Sequence, residues 1–224
     1  MILRKILLVT ILFQFSLCFG QSPKVDLDQF LAETQISSGG TEEVKIIWWI
    51  PVEFWSVALA DDKSLTETQK EDMLNSLSEI FLVGVVHGSM DAGINMEYES
   101  YKAIKKSLVV TGQNGEKYKP LNDGDISVEV EVLLAAFKPV LKSLIGNMGE
   151  NFHFYVFSDN VDGKRIADPL AGGKVDFKLF SEHHEVKTPL GSLLPKKICP
   201  VDDEPMNGGW KYCPHHGEAL VEED

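Results

Sequence analysis

The sequence predicts an α+β fold, built on a mainly antiparallel sheet or sandwich with helices packed against it. Runs of aromatic and β-branched residues, which are typical of strands, are interspersed with runs whose apolar residues recur at helical spacing. Most strand-like runs are joined by short turns such as Asn114-Gly115, and short turns connect antiparallel neighbours. Strands and helices mixed in this way define the α+β class.

The first twenty residues are typical of a secretory signal peptide. Arg4 and Lys5 precede an apolar run, and a small residue, Gly20, follows it. The run is shorter than the roughly 20 apolar residues that a membrane span needs, so cleavage after Gly20 is favoured over an uncleaved anchor. We therefore expect an exported chain, either periplasmic or extracellular.

The chain is strongly acidic, and its charge limits the partners that we expect. It has 34 Asp and Glu residues against 21 Lys and Arg residues, which gives a net charge of −13. Cleavage would remove Arg4 and Lys5 and no acidic residue, so the charge would become −15. Nucleic acid is disfavoured, because its affinity comes mainly from Lys and Arg contacts to phosphate. The expected partner is an unknown protein or small molecule, and no membrane span is expected after cleavage.

Residues 21–44 are polar and predict a flexible leader that contains one short helix near residues 27–33. The α+β globular domain is expected over residues 45–195. It opens with two aromatic and β-branched runs, residues 46–50 and 54–59, which both predict strands.

Capping signals and periodicity predict the remaining elements of the domain. The motif Ser64-Leu65-Thr66-Glu67 matches a capping box, so a helix is expected to follow it. A longer helix is expected to start after Asp123 or Asp125, to end near Gly146, and to be kinked or divided at Pro139. Strands are predicted at residues 82–87, 94–98, 151–158, 174–180 and 186–189, with a short helix at 101–108 and a hairpin at Asn114-Gly115.

The C-terminal tail, residues 196–224, carries the strongest pattern in the chain. It contains two Cys-Pro turns, Cys199-Pro200-Val201-Asp202 and Cys213-Pro214-His215-His216, separated by a short connector. A segment this small buries too little surface to fold alone, so we expect a crosslink or a metal ion to hold it.

Residues 198–219 resemble the two knuckles of a small zinc ribbon, which usually read Cys-Pro-x-Cys-Gly twice. Asp202 and His216 stand where the second cysteine of each knuckle would be. Both side chains bind zinc, so the resemblance implies a tetrahedral structural site made of Cys199, Asp202, Cys213 and His216. The body of the chain resembles exported bacterial proteins without an assigned function, and that resemblance implies no activity.

A disulfide between Cys199 and Cys213 is the alternative to zinc. These are the only cysteines after cleavage, and lone cysteine pairs in exported proteins normally oxidise. Export to an oxidising compartment favours the disulfide, whereas the spacing of the residues in the two Cys-Pro turns favours the metal. The sequence therefore leaves both alternatives open. It also leaves His215 open as a replacement for His216. Neither alternative is catalytic, because a closed four-ligand site leaves no position for water.

The preferred interpretation is a non-enzymatic exported protein that serves binding or assembly in the cell envelope or outside the cell. It follows from the signal peptide, the acidic charge and the lack of a catalytic motif in the sequence. The alternative is a secreted or periplasmic hydrolase whose active site is assembled from distant residues, with His87, Asp91 and His153 as candidates.

Three tryptophans, Trp48, Trp49 and Trp55, suggest a further possibility. Together on one surface they would form a platform for a carbohydrate or another ligand, whereas in the core they would be packing residues. The two interpretations differ in the exposure of the rings.

Overall fold

The computed structural model describes residues 25–40, 42–91, 95–161 and 164–222, without the side chains of residues 160 and 161. The predicted signal peptide, residues 1–20, lies outside the described residues. Five α-helices and a set of antiparallel sheets occupy the described ranges, so the predicted α+β class is confirmed.

Helices and strands alternate along the chain. The helices are α1 (Leu27–Thr34), α2 (Val52–Ala60), α3 (Glu67–Ser78), α4 (Tyr101–Ser107) and α5 (Val128–Glu150). The strands of the body are β1 (Gln35–Gly39), β2 (Glu43–Ile50), β3 (Ile80–Asp91), β4 (Asn95–Tyr98), β5 (Val109–Thr111), β6 (Lys117–Tyr118), β7 (His153–Ser158), β8 (Asn160–Val161), β9 (Lys164–Arg165), β10 (Gly173–Leu179) and β11 (Glu182–Thr188). The tail adds β12 (Lys197–Ile198), β13 (Pro205–Met206) and β14 (Val221–Glu222).

Two sheets form the body, and their strand pairs are antiparallel. The first sheet runs β1-β2-β3-β4, and β7 also pairs with β3. Residues 88–91 of β3 pair with β4 and residues 80–85 pair with β7, so these two strands share the edge of β3 opposite β2. The second sheet runs β11-β10-β5-β6.

The main core lies between these two sheets. Alternate residues of the first sheet, among them Ile47, Val83 and Tyr155, pack in one buried cluster with Phe177 and Val186 of the second sheet. Alternation places every second side chain of a strand on one face, which is why these strands bury one row each. Burying each large apolar side chain contributes about 1.5–3 kcal/mol relative to exposure. The body is therefore a sandwich.

The other face of the first sheet is covered by helices. Leu82 of β3 and Val156 of β7 pack in a second cluster with Trp55 of α2, Leu77 of α3 and Val130 of α5. The body thus has three layers, which are the second sheet, the first sheet and helices α2, α3 and α5, whereas α1 and α4 pack Phe30 and Ile104 into the main core.

The predicted flexible leader over residues 21–44 is wrong for its second half. Helix α1 confirms the expected short helix, and β1 follows it and pairs with β2 along its length. Asp26 caps α1 by accepting from the backbone N–H groups of Asp28 and Gln29. Phe30 is fully buried in the main core. Phe30 anchors this polar segment to the core. A single apolar residue is too weak a signal in the sequence to predict order in a segment whose composition is otherwise polar.

The second predicted strand, residues 54–59, is part of helix α2. Pro51 occupies the N-cap position with an extended backbone, and the helix begins at the next residue. Trp55 and Leu59 are four residues apart and both are buried, which is the spacing of a helix face. The run is apolar on every side, so its periodicity does not separate a strand from a buried helix.

Helix α3 follows α2 after a short turn, and its N-terminal capping box lies at a different position from the one predicted. Thr66 and Gln69 form the capping box, two residues beyond the predicted pair Ser64 and Glu67. Both patterns satisfy the same spacing, and Ser64 instead bonds to Asp62.

The long helix α5 begins after Ser127, whose hydroxyl oxygen accepts from the N–H of Val130. The predicted kink at Pro139 is wrong, because the non-helical residues inside α5 are Ile145 and Gly146. Gly146 has a φ of +59°, a left-handed conformation that glycine adopts without steric cost. Within the part of the chain that the structure describes, no helix has the length and apolar character needed to cross a bilayer.

Candidate metal centre

The two Cys-Pro turns of the tail have the same backbone geometry. In the first, the N–H of Asp203 donates to the carbonyl of Cys199, and the N–H of Cys199 donates to the carbonyl of Glu204. In the second, the N–H of Gly217 donates to the carbonyl of Cys213, and the N–H of Cys213 donates to the carbonyl of Glu218. Each turn therefore uses the same offsets from its cysteine, and the two are equivalent knuckles.

The fourth residue after each cysteine is left-handed. Asp203 has a φ of +59° and Gly217 has a φ of +73°. Such a conformation favours glycine, and Asp is among the residues that tolerate it best. The knuckles are thus equivalent in backbone, although only the second carries the glycine.

The knuckles bring three metal-ligand side chains together. The Sγ atoms of Cys199 and Cys213 and a ring nitrogen of His216 all lie within 4.8 Å of one another. His216 Nδ1 is 3.4 Å from Cys199 Sγ and 3.6 Å from Cys213 Sγ. This group could hold a metal ion.

Asp202, the fourth predicted ligand, lies beside this group but outside it. Its Oδ2 is 3.7 Å from His216 Nδ1. A hydrogen bond from the Cys199 thiol is the main cause that holds the pKa of Asp202 below its ordinary value. The carboxylate is therefore poised next to both the thiol of its own knuckle and the imidazole of the other.

These separations suit a tetrahedral site. With Zn–S bonds of about 2.3 Å and Zn–N bonds of about 2.0–2.1 Å, a tetrahedral angle places sulfur and nitrogen about 3.5–3.6 Å apart. The two observed sulfur–nitrogen distances, 3.4 Å and 3.6 Å, bracket that value. The two sulfur–nitrogen separations are therefore those that a tetrahedral ion would impose on Cys199, Cys213 and His216.

The two thiols are buried, while the histidine is not. Cys199 is fully buried and Cys213 is 2% exposed, and both pack with Met206. Burial raises the pKa of Cys199. Burial is the largest influence and acts to raise the pKa of Cys213, but hydrogen bonds from the backbone of His216 and His215, together with those from the Cys199 and His216 side chains, lower it overall. Amides aimed at sulfur stabilise the thiolate, which is the form that binds metal.

The structure places the cysteines as free thiols, and their sulfurs are not at bonding distance. Their nearness is compatible with either chemistry, so the disulfide stays a prediction. His215 is exposed and does not belong to the three-residue group, so the geometry gives the ligand position to His216.

The centre is tied to the body by a polar contact that the sequence analysis missed. Asn207 is only 4% exposed, and its side-chain amide donates to Gln29 and to Glu33 of α1. The other carboxylate oxygen of Glu33 accepts from the N–H and the hydroxyl of Ser192. Gly191 packs so closely against Asn207 that a Cβ there would clash. The dipeptide Asn207-Gly208 signals a turn, but no local signal links it to a helix 174 residues earlier.

The candidate hydrolase residues have separate partners. His87 Nε2 lies 2.7 Å from Glu43 Oε1. His153 Nδ1 lies 3.4 Å from Lys138 Nζ. Asp91 is exposed at the end of β3. The hydrolase stays a prediction that no observation favours.

The tryptophan platform is wrong. Trp49 is 1% exposed and Trp55 is 4% exposed, because each lies in one of the two cores. Trp48 packs edge-on against Phe54. Within the described ranges, the aromatic side chains classed as exposed are Trp210 and Tyr212 of the tail.

Comparison with known proteins adds no relative to this description. No family model matches the chain, and neither a curated protein nor a solved structure matches it. Functional inference therefore depends on the geometry of the knuckles and on the charge of the chain.

Proposed function

We propose that this chain is an exported, non-enzymatic protein for binding or assembly, whose C-terminal knuckles are held by one structural zinc ion. The observation that carries the proposal is the convergence of Cys199, Cys213 and His216 on one point. Asp202 completes the set by a small movement of its side chain. Soft thiolates with imidazole in a tetrahedral arrangement are the ligands that zinc prefers.

The proposed site is structural because it is closed. Four protein ligands fill a tetrahedral zinc ion and leave no place for a reacting water. The apolar core of the tail is small, since Cys199, Met206 and Cys213 are the only members of its buried cluster among the described residues. The ion would therefore supply stability that so small a core lacks.

The proposed binding role is supported by what the tail displays. Trp210 and Tyr212 are 41% and 64% exposed on the same segment. Trp and Tyr are enriched at protein interfaces, where they supply a large contact area at a small entropic cost. A tail made rigid by a metal ion would present these rings in a fixed arrangement.

Intact mass and zinc content, measured on protein purified without a metal-affinity tag, test the zinc site. We expect one zinc ion per chain, together with the mass of two free thiols after acid release. A mass lower by two hydrogens, with no zinc, would establish the disulfide and overturn the proposal.

Two variants test the assignment of His216 as a ligand. His216→Ala removes a ligand, so the chain should lose its zinc or retain it much more weakly. His215→Ala is the matched control, because it changes the neighbouring exposed histidine and should keep one zinc per chain. Equal loss from both variants would contradict the assignment of His216.

A further inference from the structure

The surface of this acidic chain carries a basic cleft beside helix α4. Residues 101–120 contain five lysines and one acidic residue, whereas the whole chain has 34 acidic residues against 21 Lys and Arg residues. Four of the five lysines meet around one cleft of about 350 Å³, which is lined by Lys102, Lys105, Lys106, Lys119, Pro120 and Asn122. Like charges repel, so gathering them in one concave place costs free energy unless an anion binds among them.

Two segments of the folded body form the walls of the cleft. Helix α4 supplies three of the lysines, and residues 119–122, which follow β6, form the other wall. Ile104, on the same helix as the three lysines, is fully buried and fixes α4 to the main core. The N–H of Leu121 donates to the carbonyl of Val156 in β7, which fixes the second wall. The positions of the lysine backbones are therefore set by the fold.

One carboxylate, Asp123, holds the two walls together. It accepts a hydrogen bond of 2.8 Å from the hydroxyl of Tyr101 and forms an ion pair with Lys105, and both of these partners lie on α4. The ammonium of Lys105 also lies 5.4 Å from the centre of the Tyr101 ring. Asp123 therefore offsets the charge of one lysine and leaves the cleft with an excess of positive charge.

Two lysines of the cleft, Lys106 and Lys119, are exposed and have no ion pair or hydrogen bond within the part of the chain that the structure describes. The dipole of α4 favours cations in its last turn, which accounts for Lys105 and Lys106. It does not account for Lys102, which lies in the first turn, or for Lys119, which lies outside the helix. The convergence of all four on one cleft therefore points to an anionic ligand.

The donors of the cleft suit phosphate groups. Lysine binds phosphate as a point charge, whereas arginine, which pairs with carboxylates through a planar fork, is absent from the lining. The volume lies at the low end of the range of about 300–1,000 Å³ that is typical of small-molecule pockets. Charges are screened beyond about 8 Å at physiological salt, so a small anion would respond mainly to the lysines. A large polyanion would also lie over the acidic remainder of the surface and would be repelled.

We propose that the α4 cleft binds a small soluble compound that carries two or more phosphate groups, held by Lys102, Lys106 and Lys119. This inference adds a ligand class to the proposed binding role. The cleft contains no residue of the tail, so the phosphate site and the zinc site stand or fall separately.

Isothermal titration calorimetry of the purified chain with fructose 1,6-bisphosphate at low salt tests the proposal. We expect a dissociation constant between about 10 µM and about 1 mM, which rises as sodium chloride screens the lysines. Fructose, the same sugar without phosphate, should not bind. Amide chemical shifts in the nuclear magnetic resonance spectrum should change most at residues 101–108 and 119–122.

Lys106→Ala and Lys119→Ala should each raise the dissociation constant about threefold to tenfold, because each removes one charged contact. Circular dichroism should show an unchanged fold, since both side chains are exposed. Lys63→Ala is the matched control: it makes the same change in net charge at an exposed lysine between α2 and α3, and it should leave the dissociation constant within about twofold.

Three results would overturn the proposal. The first is a lack of binding up to about 10 mM bisphosphate at low salt. The second is an equal effect of Lys63→Ala and the two cleft variants, which would show that only the net charge matters. The third is tighter binding to phosphatidylglycerol vesicles or to a single-stranded oligonucleotide than to the bisphosphate, which would show that the ligand is not a small compound.

Discussion

The side-chain amide of Asn207 lies 2.9 Å from a carboxylate oxygen of Glu33, and this contact joins the two Cys-Pro knuckles to helix α1. The other carboxylate oxygen of Glu33 accepts hydrogen bonds from the N–H and the hydroxyl of Ser192. One carboxylate therefore binds both Ser192 and Asn207. Asn207 follows Met206, which packs against both cysteines. The position of the knuckles and the docking of α1 are therefore physically connected.

Replacing Asn207 should loosen this connection. Asn207→Ala removes the donor to Glu33 and the acceptor for the N–H of Gly209 in a buried setting. We expect the free energy of unfolding to fall by about 1–3 kcal/mol, because buried partners lose their hydrogen bonds. Denaturant unfolding measures the change, and amide exchange should be faster in α1.

Asn75→Ala serves as the control for this change, since Asn75 is exposed on α3. It should leave the free energy of unfolding almost unchanged. Unaltered exchange in α1 of the Asn207 variant would show that the contact does not hold the helix.

The two left-handed positions predict responses of different size to substitution. Gly217→Ala adds a Cβ where nothing lies within 4 Å, so the cost comes from the backbone conformation alone. We expect a loss of about 1–2 kcal/mol in the free energy of unfolding. Asp203→Gly at the equivalent position should not destabilise the chain beyond about 1 kcal/mol, because relief of strain offsets the greater freedom of the unfolded state.

Thermal or denaturant unfolding of both variants checks this pair. Equal destabilisation by the two changes would contradict the equivalence of the knuckles. If only the Gly217→Ala variant loses zinc, the left-handed backbone at position 217 is needed for metal binding as well as for stability.

Half-buried His153 predicts a loss of stability in mild acid. Burial first, and then the nearby Lys138, lower the pKa of His153 from 6.5 to about 4. Between these two pH values the imidazole of His153 is protonated in the unfolded chain but neutral in the folded chain. The free energy of unfolding should therefore fall as the pH drops from about 6.5 to about 4. The slope for this one group is at most about 1.4 kcal/mol per pH unit.

The melting temperature of His153→Gln, followed over the same pH range, checks this prediction. The variant should lose less stability on acidification than the wild type. His183→Gln is the control, because the side chain of His183 is 60% exposed. An unchanged pH profile for the His153 variant would place the acid sensitivity elsewhere.

Local signals predicted much of this fold. The apolar alternation of β7 and β10 and the Asn114-Gly115 turn lead directly to strands and a hairpin, because each pattern has one dominant structural reading. The strand predicted at residues 54–59 is wrong because an apolar run without a clear period suits a buried helix as well as a strand. The prediction of a flexible leader is wrong for its second half because Phe30 is a single buried anchor in a polar segment.

The candidate site was predictable only in its local part. Cys199 and Cys213 are marked by the repeated Cys-Pro pattern, and the spacing pointed to Asp202 and His216. The contact of Asn207 with Glu33 is long-range and leaves no periodicity or motif in the sequence.

X-ray absorption at the zinc edge of the purified chain is the measurement that tests the zinc site most directly. We predict two sulfur ligands at about 2.3 Å and two nitrogen or oxygen ligands at about 2.0–2.2 Å, from Cys199, Cys213, His216 and Asp202. Cys213→Ser should reduce the sulfur count or abolish zinc binding. A first shell with no sulfur, or a chain that holds no zinc when both thiols are reduced, would contradict the proposed centre.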